Sequence, residues 1–301
     1  MSIYIDSHIH TSARTQDEMA AMKAAGIVAV IEPAYWRAEL QGQDHTLHDY
    51  FNRLVGWERY RASQSDLCHY CTVGLSPKEA NHPQMVEQAH VALPLYAANE
   101  GVVAIGEIGF EDMTASEETM FRMQLRLAKE HGLPVLVRTP QRNKQAATLL
   151  SLRLCEEEGM PAHQVIIGQG NEETLPHIFA QGYWAALSLC SVNGMSCDTL
   201  VNTVARYGGE RIMINSAAEW GWGHPLAVPG IAELMAQRGI PPEMIHVVCY
   251  DHSLTAYGSS GRMTEADWLT SPARSAGLES AELAAQFEAQ QALPADALDS
   301  R

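Results

Sequence analysis

Two histidines one residue apart close the first apolar run of the chain, in Asp6-Ser7-His8-Ile9-His10. Side chains at positions i and i+2 of a β-strand point to the same face, so both imidazoles can reach one metal ion. The pair also stands at the carboxyl end of a predicted strand, the edge at which enzymes built on parallel strands keep their catalytic groups. The spacing therefore predicts a metal site that includes both histidines, rather than two solvated side chains.

Glu107 is a carboxylate that emerges from another apolar run, between Gly106 and Gly109. A carboxylate at the end of a buried strand is costly unless it binds something, which favours a ligand over an ordinary strand-end residue. Two histidines and one carboxylate suffice to hold one divalent cation, and zinc, manganese and iron all accept such ligands. We therefore predict one divalent metal ion on His8, His10 and Glu107.

The elements that must position these residues follow a regular alternation. Short apolar runs bounded by turn residues alternate with longer amphipathic stretches, which is typical of βα units around a parallel sheet. Eight such rounds, with no glycine-rich phosphate-binding motif after any strand, favour a closed (βα)8 TIM barrel over an open doubly wound sheet. The predicted strands are Ile3–Ile9, Ile27–Ile31, His69–Val73, Val102–Gly106, Pro134–Val137, Val165–Ile167, Tyr183–Leu187 and Arg211–Ile214.

The helix after the fourth strand has the clearest sequence signals. Thr114 and Glu117 have the spacing of a capping box, and Gly132 is a typical residue for ending the helix. The apolar residues between them recur at helical spacing, as an amphipathic helix requires.

The region beyond the eighth unit changes in character. Two Pro-bounded stretches, Pro225–Arg238 and Pro241–Cys249, are predicted to be helical and to pack over the last strand. We predict a barrel domain over residues 1–262 and a helical tail over residues 263–301. One amphipathic stretch of the tail, Glu279–Leu293, is expected to dock on the barrel or on a second subunit of a homo-oligomer.

Composition excludes several classes of function. The chain has 301 residues and a formal net charge of −16, with no run rich in Lys or Arg, which opposes binding to DNA or RNA. No stretch approaches the length of an apolar membrane span, and no signal peptide is visible at the start. We therefore expect a cytoplasmic enzyme with a small-molecule substrate. Cysteines are sparse, and Cys68 and Cys71 lie in an apolar run that favours a buried strand over a zinc or redox site.

Several segments resemble the TatD-type metal-dependent hydrolases of the amidohydrolase superfamily, and others resemble more closely the TatD-like hydrolase encoded in ebo operons. The resemblance runs from about Ile3 to Arg262. It implies a (βα)8 barrel with one or two divalent cations that activate water, and a substrate in a secondary-metabolite pathway. The segments that carry it are Asp6–His10, Ala104–Gly109, Gln124–Ala128 and Leu133–Val137 for the wider family, and Ser76–Asn81, Asn171–Thr174, Asn215–Gly221 and Pro225–Pro229 for the ebo type.

The chain departs from the family pattern at the second metal. The histidines that the family carries after its fifth and sixth strands align with Arg138 and Gln169. Arginine has no lone pair to donate and glutamine offers one neutral oxygen, so the second ion is expected to be absent. The resemblance also places Glu219 where ebo-type members carry an aspartate, while the usual TatD aspartate position is Ala217.

These departures lead to predicted roles. Glu219 is predicted to accept the proton of the attacking water, and Arg138 to bind an anionic group of the substrate. The alternative for Arg138 is an ion pair with Glu107 or Glu219. Gln169 and His252 are predicted to contact the substrate, with a packed surface histidine as the alternative for His252.

Three classes of function stay open. The first is a mononuclear metal-dependent hydrolase acting on a small anionic metabolite. The second is a non-hydrolytic iron enzyme, such as an oxygenase or a lyase, because two histidines and one carboxylate also bind Fe(II). The third is a metal-poor, non-catalytic barrel. Glu32, His45 and His48 also fall near predicted strand ends and loops, without an assigned role.

Overall fold

The computed structural model describes residues 2–35, 46–189 and 194–269. Within them, eight parallel strands form one sheet in the order of the sequence, as a (βα)8 barrel requires. The strands are β1 Tyr4–Asp6, β2 Ile27–Glu32, β3 Cys68–Val73, β4 Val102–Gly109, β5 Val135–Arg138, β6 Val165–Gly168, β7 Trp184–Ser188 and β8 Ile212–Asn215. The predicted fold class is confirmed.

Helices follow the strands and cover the outside of the sheet. The helix predicted after β4 has the predicted capping box at Thr114 and Glu117, and Gly132 ends it in the left-handed conformation. The described helices are α1 Gln16–Ala24, α2 Leu47–Asn52, α3 Arg59–Ser63, α4 Pro83–Ala97, α5 Ala115–His131, α6 Lys144–Glu157, α7 Leu175–Ala180, α8 Cys197–Tyr207, α9 Ala227–Gln237, α10 Pro242–His246, α11 His252–Gly258 and α12 Ala266–Leu269. π-Helical turns at Arg53–Glu58 and Val247–Asp251 connect α2 to α3 and α10 to α11. None of the helices in the described ranges is long and apolar enough to span a bilayer.

The segment that carries the two histidines joins the first strand to the last. β1 ends at Asp6, three residues before the predicted end, because the Asp6 carboxylate accepts the N–H groups of His8 and Ser216 and so replaces the regular strand pairing. The Ala217 N–H then donates to the His8 carbonyl at 2.8 Å, and the His10 N–H donates to the Ala218 carbonyl at 2.9 Å. The motif therefore helps to connect β1 to β8.

Alternation along the strands fills the inside of the barrel with apolar side chains. Leu136, Ile166, Ala186 and Met213 belong to one buried cluster, whereas their neighbours on the same strands belong to the cluster between sheet and helices. Two residues beyond Leu136 is Arg138, and two residues beyond Ala186 is Ser188. The period of two therefore brings polar residues to the mouth of the barrel, directly above its apolar layers.

The chain beyond α11 contributes to the same compact unit. The described residues up to Trp268 form this unit, and Met263 and Trp268 are buried in the cluster inside the barrel. A second unit begins at Leu269, of which the structure describes that residue alone. The predicted domain boundary after residue 262 stays a prediction. The predicted docking of Glu279–Leu293 also stays one, since this stretch lies outside the described residues.

Candidate active site

A pocket that opens to solvent lies at the carboxyl ends of the strands. Its lining contains most of the side chains that the sequence predicts to do chemistry. The lining residues are His8, His10, Tyr35, Glu107, Arg138, Gln169, Ser188, Ala217 and Glu219. The structure thus brings together the three predicted metal ligands, the predicted base Glu219, and the predicted substrate contacts Arg138 and Gln169.

The two histidines and Glu107 are buried side by side. The rings of His8 and His10 meet edge to face with centroids 5.4 Å apart, and His8 Nδ1 lies 3.8 Å from Glu107 Oε1. Tyr35 packs against His10, with the two ring centroids 5.5 Å apart. These distances place two imidazoles and one carboxylate at a single wall of the pocket.

A local irregularity in β4 directs the Glu107 carboxylate into the pocket. The pairing of β4 with β5 skips one residue between Gly106 and Ile108, so Glu107 occupies a bulge. Ile105 and Ile108 both pack against the helices, an arrangement that strict alternation would not allow. Glycine is required beside the bulge, because a Cβ on Gly106 would lie 2.6 Å from the Cβ of Leu136.

Burial and charge set the protonation of this group. Desolvation, together with the nearby Arg138 charge, lowers the pKa of His8 to about 4. Desolvation and the neighbouring His8 lower the pKa of His10, against the opposing pull of nearby carboxylates. Desolvation raises the pKa of Glu107, with Arg138 and His10 opposing it. Both imidazoles are therefore neutral at pH 7, which is the form that donates a lone pair.

The chemistry of these side chains fits one divalent cation. Neutral imidazoles and a carboxylate are suitable donors, and Glu107 Oε1 is buried with no hydrogen-bond partner in the structure. In the conformations seen, however, no group of three or more His, Cys, Asp and Glu side chains in residues 2–35, 46–189 and 194–269 is arranged to hold a metal ion. Binding of an ion therefore requires adjustment of the side chains at the mouth.

Arg138 occupies the wall next to the His8–Glu107 pair. Its guanidinium carbon lies 5.8 Å from the centre of the Tyr35 ring, and its Nε is buried without a hydrogen-bond partner. Desolvation opposes its charge, but Glu107 and Tyr35 outweigh this effect and raise the pKa of Arg138. A permanent cation with unused donor capacity thus faces the pocket beside the predicted ligands.

Three other parts of the wall bear on the predictions. Glu219 is half-buried, and its backbone is held by hydrogen bonds with Trp222 and by Arg14, which donates to its carbonyl at 2.6 Å. Tyr35 and Ser188 were not predicted from the sequence. The position of Ser188 at the end of β7 is a signal that could have identified it, whereas Tyr35 reaches the site from a loop with no recognisable pattern.

His252 lies away from this pocket. Its Nδ1 is 2.7 Å from the carbonyl of Ile212, the first residue of β8, and its ring packs 5.1 Å from that of Trp184, the first residue of β7. These contacts are at the amino ends of the strands, so the placement disagrees with a substrate contact and agrees with a packed histidine. His48 contacts Tyr96 and does not line the pocket, and His45 lies outside the described residues.

Glu32, at the end of β2, anchors the turn that follows His10. Its carboxylate accepts hydrogen bonds from the Thr11 hydroxyl and, at 3.2 Å, from the Ser12 N–H, and lies 3.0 Å from His69 Nε2. The side chains of Glu32 and His69 are almost completely buried. Burial opposes the charge, but the contacts with His69, His10 and Thr11 outweigh it and lower the pKa of Glu32 from 4.5 to about 2.

We expect Glu32→Gln to destabilise the protein at pH 7 by about 3 kcal/mol, because each pKa unit corresponds to about 1.4 kcal/mol. A lowered carboxyl pKa stabilises the fold above the unfolded pKa of 4.5, and this contribution is lost as the pH falls toward 2. The difference in free energy of unfolding between variant and wild type should therefore shrink between pH 5 and pH 3. Urea denaturation at both pH values measures it. Glu58→Gln is the contrast, since burial raises the pKa of that nearby carboxyl; a similar pH trend in both variants would contradict the assignment.

Fold and site together define a (βα)8 barrel of the amidohydrolase type, with a paired histidine motif after β1 and a carboxylate on β4. The model of the TatD related DNase family matches residues 5–258. The chain therefore belongs to the TatD family and is a hydrolase of that family.

Individual relatives agree with this membership. A metal-dependent hydrolase of Methanocaldococcus jannaschii is 31% identical over 171 residues, which cover 57% of this chain and 67% of the relative. The crystal structure of a TatD-like protein from Archaeoglobus fulgidus superposes with a TM-score of 0.67 at 25% identity, covering 84% of this chain and 99% of that one. A mutant PTE-like lactonase from Deinococcus radiodurans, with a TM-score of 0.64 and 16% identity over 85% of this chain and 95% of its own, shares the fold.

Proposed function

We propose that this chain is a mononuclear metal-dependent hydrolase acting on a small anionic metabolite. The observation that carries the proposal is the shared pocket, in which the His8–Glu107 pair and the Arg138 guanidinium form adjacent parts of the wall. The TatD membership and the metal-dependent relative support the requirement for a divalent ion. The secondary-metabolite pathway stays a prediction from the ebo resemblance.

Each side chain has a distinct part in this proposal. His8, His10 and Glu107 would hold the cation, which when bound would supply Lewis-acid activation of water. Glu219, on the same pocket wall, accepts the proton that water loses. Arg138 holds the anionic group of the substrate and thereby orients the bond to be cleaved. Gln169 contributes neutral hydrogen-bonding groups without a competing charge.

The proposal predicts no more than one tightly bound divalent cation per chain. A second ion about 4 Å from the Arg138 guanidinium would be repelled by roughly 8 kcal/mol at an effective dielectric constant of about 20. Metal analysis and native mass spectrometry of protein purified without added metal measure the stoichiometry. Two well-occupied ions would contradict the mononuclear site. Retained iron without hydrolysis would instead support the oxygenase or lyase alternative, and absence of any metal would support the non-catalytic barrel.

We also expect no DNA hydrolysis at ordinary turnover, although the family takes its description from DNases. The chain carries a formal net charge of −16, which repels a polyanion and opposes the release of counterions on which DNA affinity depends. A nuclease assay at about 0.15 M salt, with small carboxylated esters, lactones and amides tested in parallel, compares the two substrate classes. DNA cleavage that needs metal and disappears in His8→Ala/His10→Ala would refute this expectation.

A further inference from the structure

A lysine outside the pocket lining lies beside its cationic wall. Lys144 is the first residue of α6, and its Nζ donates to Thr139 Oγ1 at 3.1 Å and to the Gln169 carbonyl at 2.9 Å. Thr139 directly follows β5, and Gln169 directly follows β6. The ammonium group is therefore held between the mouth ends of these strands, next to the positions of Arg138 and Gln169.

This position is electrostatically unfavourable for a lysine. The amino end of a helix carries partial positive charge, and the first turn of α6 contains no acidic residue to offset it. Desolvation, with the nearby charge of Arg138, lowers the pKa of Lys144 to about 8. Two cations are thus placed together at the mouth of a chain whose formal net charge is −16.

Neither cation has a carboxylate partner at ion-pair distance in the part of the chain that the structure describes. The ion pairs formed there involve histidines and other arginines, and none includes Arg138 or Lys144. The buried Nε of Arg138 also has no hydrogen-bond partner. Glu107 favours the charge of Arg138 from beyond ion-pair distance. Places where a fold breaks the local electrostatic rules, as it does at Lys144, are typically functional.

We propose that Arg138 and Lys144 form one subsite for a doubly charged group of the substrate, such as the phosphate of a phosphate monoester. This inference rests on the proposed function in one respect, namely that Arg138 faces the bound substrate. A group with two negative charges would offset both cations, whereas a single carboxylate would offset one. The planar guanidinium suits a bidentate contact and the ammonium acts as a point charge, a combination well matched to phosphate oxygens.

The test uses inorganic phosphate and metal-free, full-length protein, so that its outcome does not depend on hydrolysis or on metal binding. Calorimetry at pH 8 and low salt would compare wild type with three variants. We expect Lys144→Met to weaken phosphate binding at least about 10-fold, and Lys144→Arg, which keeps the charge, to stay within about 3-fold. Lys78→Met, at an exposed position, is the matched control and should bind as wild type. Acetate, with one charge, should bind at least about 10-fold more weakly than phosphate.

A second readout avoids substitution at this position. The lysines of the chain are Lys23, Lys78, Lys129 and Lys144, so reductive ¹³C-methylation, which keeps their charge, gives a small set of resolvable NMR signals. Saturating phosphate should raise the titration midpoint of Lys144 by about one pH unit, the linkage equivalent of a 10-fold preference for the charged amine. The other three midpoints should not move.

Two outcomes would overturn the proposal. Unchanged phosphate affinity in Lys144→Met, accompanied by lower stability, would assign the lysine to bracing the Thr139 and Gln169 backbone alone. Equal affinity for acetate and phosphate would contradict a doubly charged ligand. A protein that binds phosphate through Lys144 but neither binds metal nor hydrolyses esters would retain the subsite while refuting the proposed hydrolase function.

Discussion

Glu107→Gln is expected to lower the affinity for a divalent cation by at least about 100-fold and to abolish hydrolysis. Substitution of a residue that only orients a metal ligand already lowers metal affinity 10- to 100-fold. Removal of the one charged ligand should therefore lower the affinity by at least the upper end of that range. Glutamine preserves the shape of the side chain but offers a neutral oxygen of low affinity for zinc, manganese or iron. Competition with a fluorescent chelator measures the affinity directly, without a known substrate.

Measuring the stability of Glu107→Gln distinguishes a loss of metal affinity from damage to the fold. Burial raises the pKa of Glu107, which means that folding disfavours its charged form above the pKa of the unfolded chain. The metal-free Glu107→Gln variant should therefore be at least as stable as wild type at pH 7, and its advantage should disappear as the pH falls below about 4. Glu243→Gln, at an exposed position on α10, should change neither metal affinity nor stability. Full metal affinity in Glu107→Gln would remove Glu107 from the predicted ligand set.

Arg138→Met is expected to weaken the binding of an anionic substrate or product by at least about 10-fold. A lost hydrogen bond to a charged group costs roughly 1.5 kcal/mol at the low end, which corresponds to that ratio. Methionine keeps much of the volume and leaves the apolar layer of Leu136 below undisturbed. Calorimetry with a validated ligand provides the measurement. Arg138→Lys keeps the charge but loses the planar guanidinium. Its ligand affinity should lie between those of Arg138→Met and the wild type.

The competing explanation for Arg138 gives a different result. If the guanidinium only compensates the buried Glu107, then Arg138→Met should leave ligand affinity unchanged and lower the free energy of unfolding. Loss of the Arg138 charge should also raise the pKa of His8 from about 4, since that charge contributes to its depression. Arg138→His is the companion variant. It should not by itself create a second metal site, because Gln169 still replaces the other histidine.

The order and type of the elements could be predicted from the sequence because they depend on local regularities. Each predicted strand overlaps an observed one, and the capping box at Thr114 and Glu117 and the end at Gly132 were correct to the residue. These helix ends depend only on nearby residues, since hydrogen bonds between residues three or four apart determine them. Strand ends were less accurate, because pairing with a distant strand decides them. The segment after Asp6 shows this, since a bond to Ser216 ends β1 early.

The gathering of site residues at one mouth also follows from the sequence, once the barrel is accepted. All carboxyl ends of the strands meet at one rim, so residues that close separate strands must become neighbours. His8, His10, Glu107, Arg138 and Gln169 meet this rule and line one pocket. His252 does not follow a predicted strand, and it lies at the opposite rim.

What the tertiary structure alone decided is the direction and the environment of those side chains. Strict alternation would direct the Glu107 carboxylate toward the helices. The bulge at Glu107, which arises from the pairing of β4 with β5, directs it into the barrel mouth instead. The pairing of Glu32 with His69 and the hydrogen bond from Lys144 Nζ to the Gln169 carbonyl likewise join residues from different βα units. Residue types and local periodicity thus determined the fold and the chemical groups of this protein. Contacts between distant segments determined which groups are buried together, and burial with charge sets their protonation and reactivity.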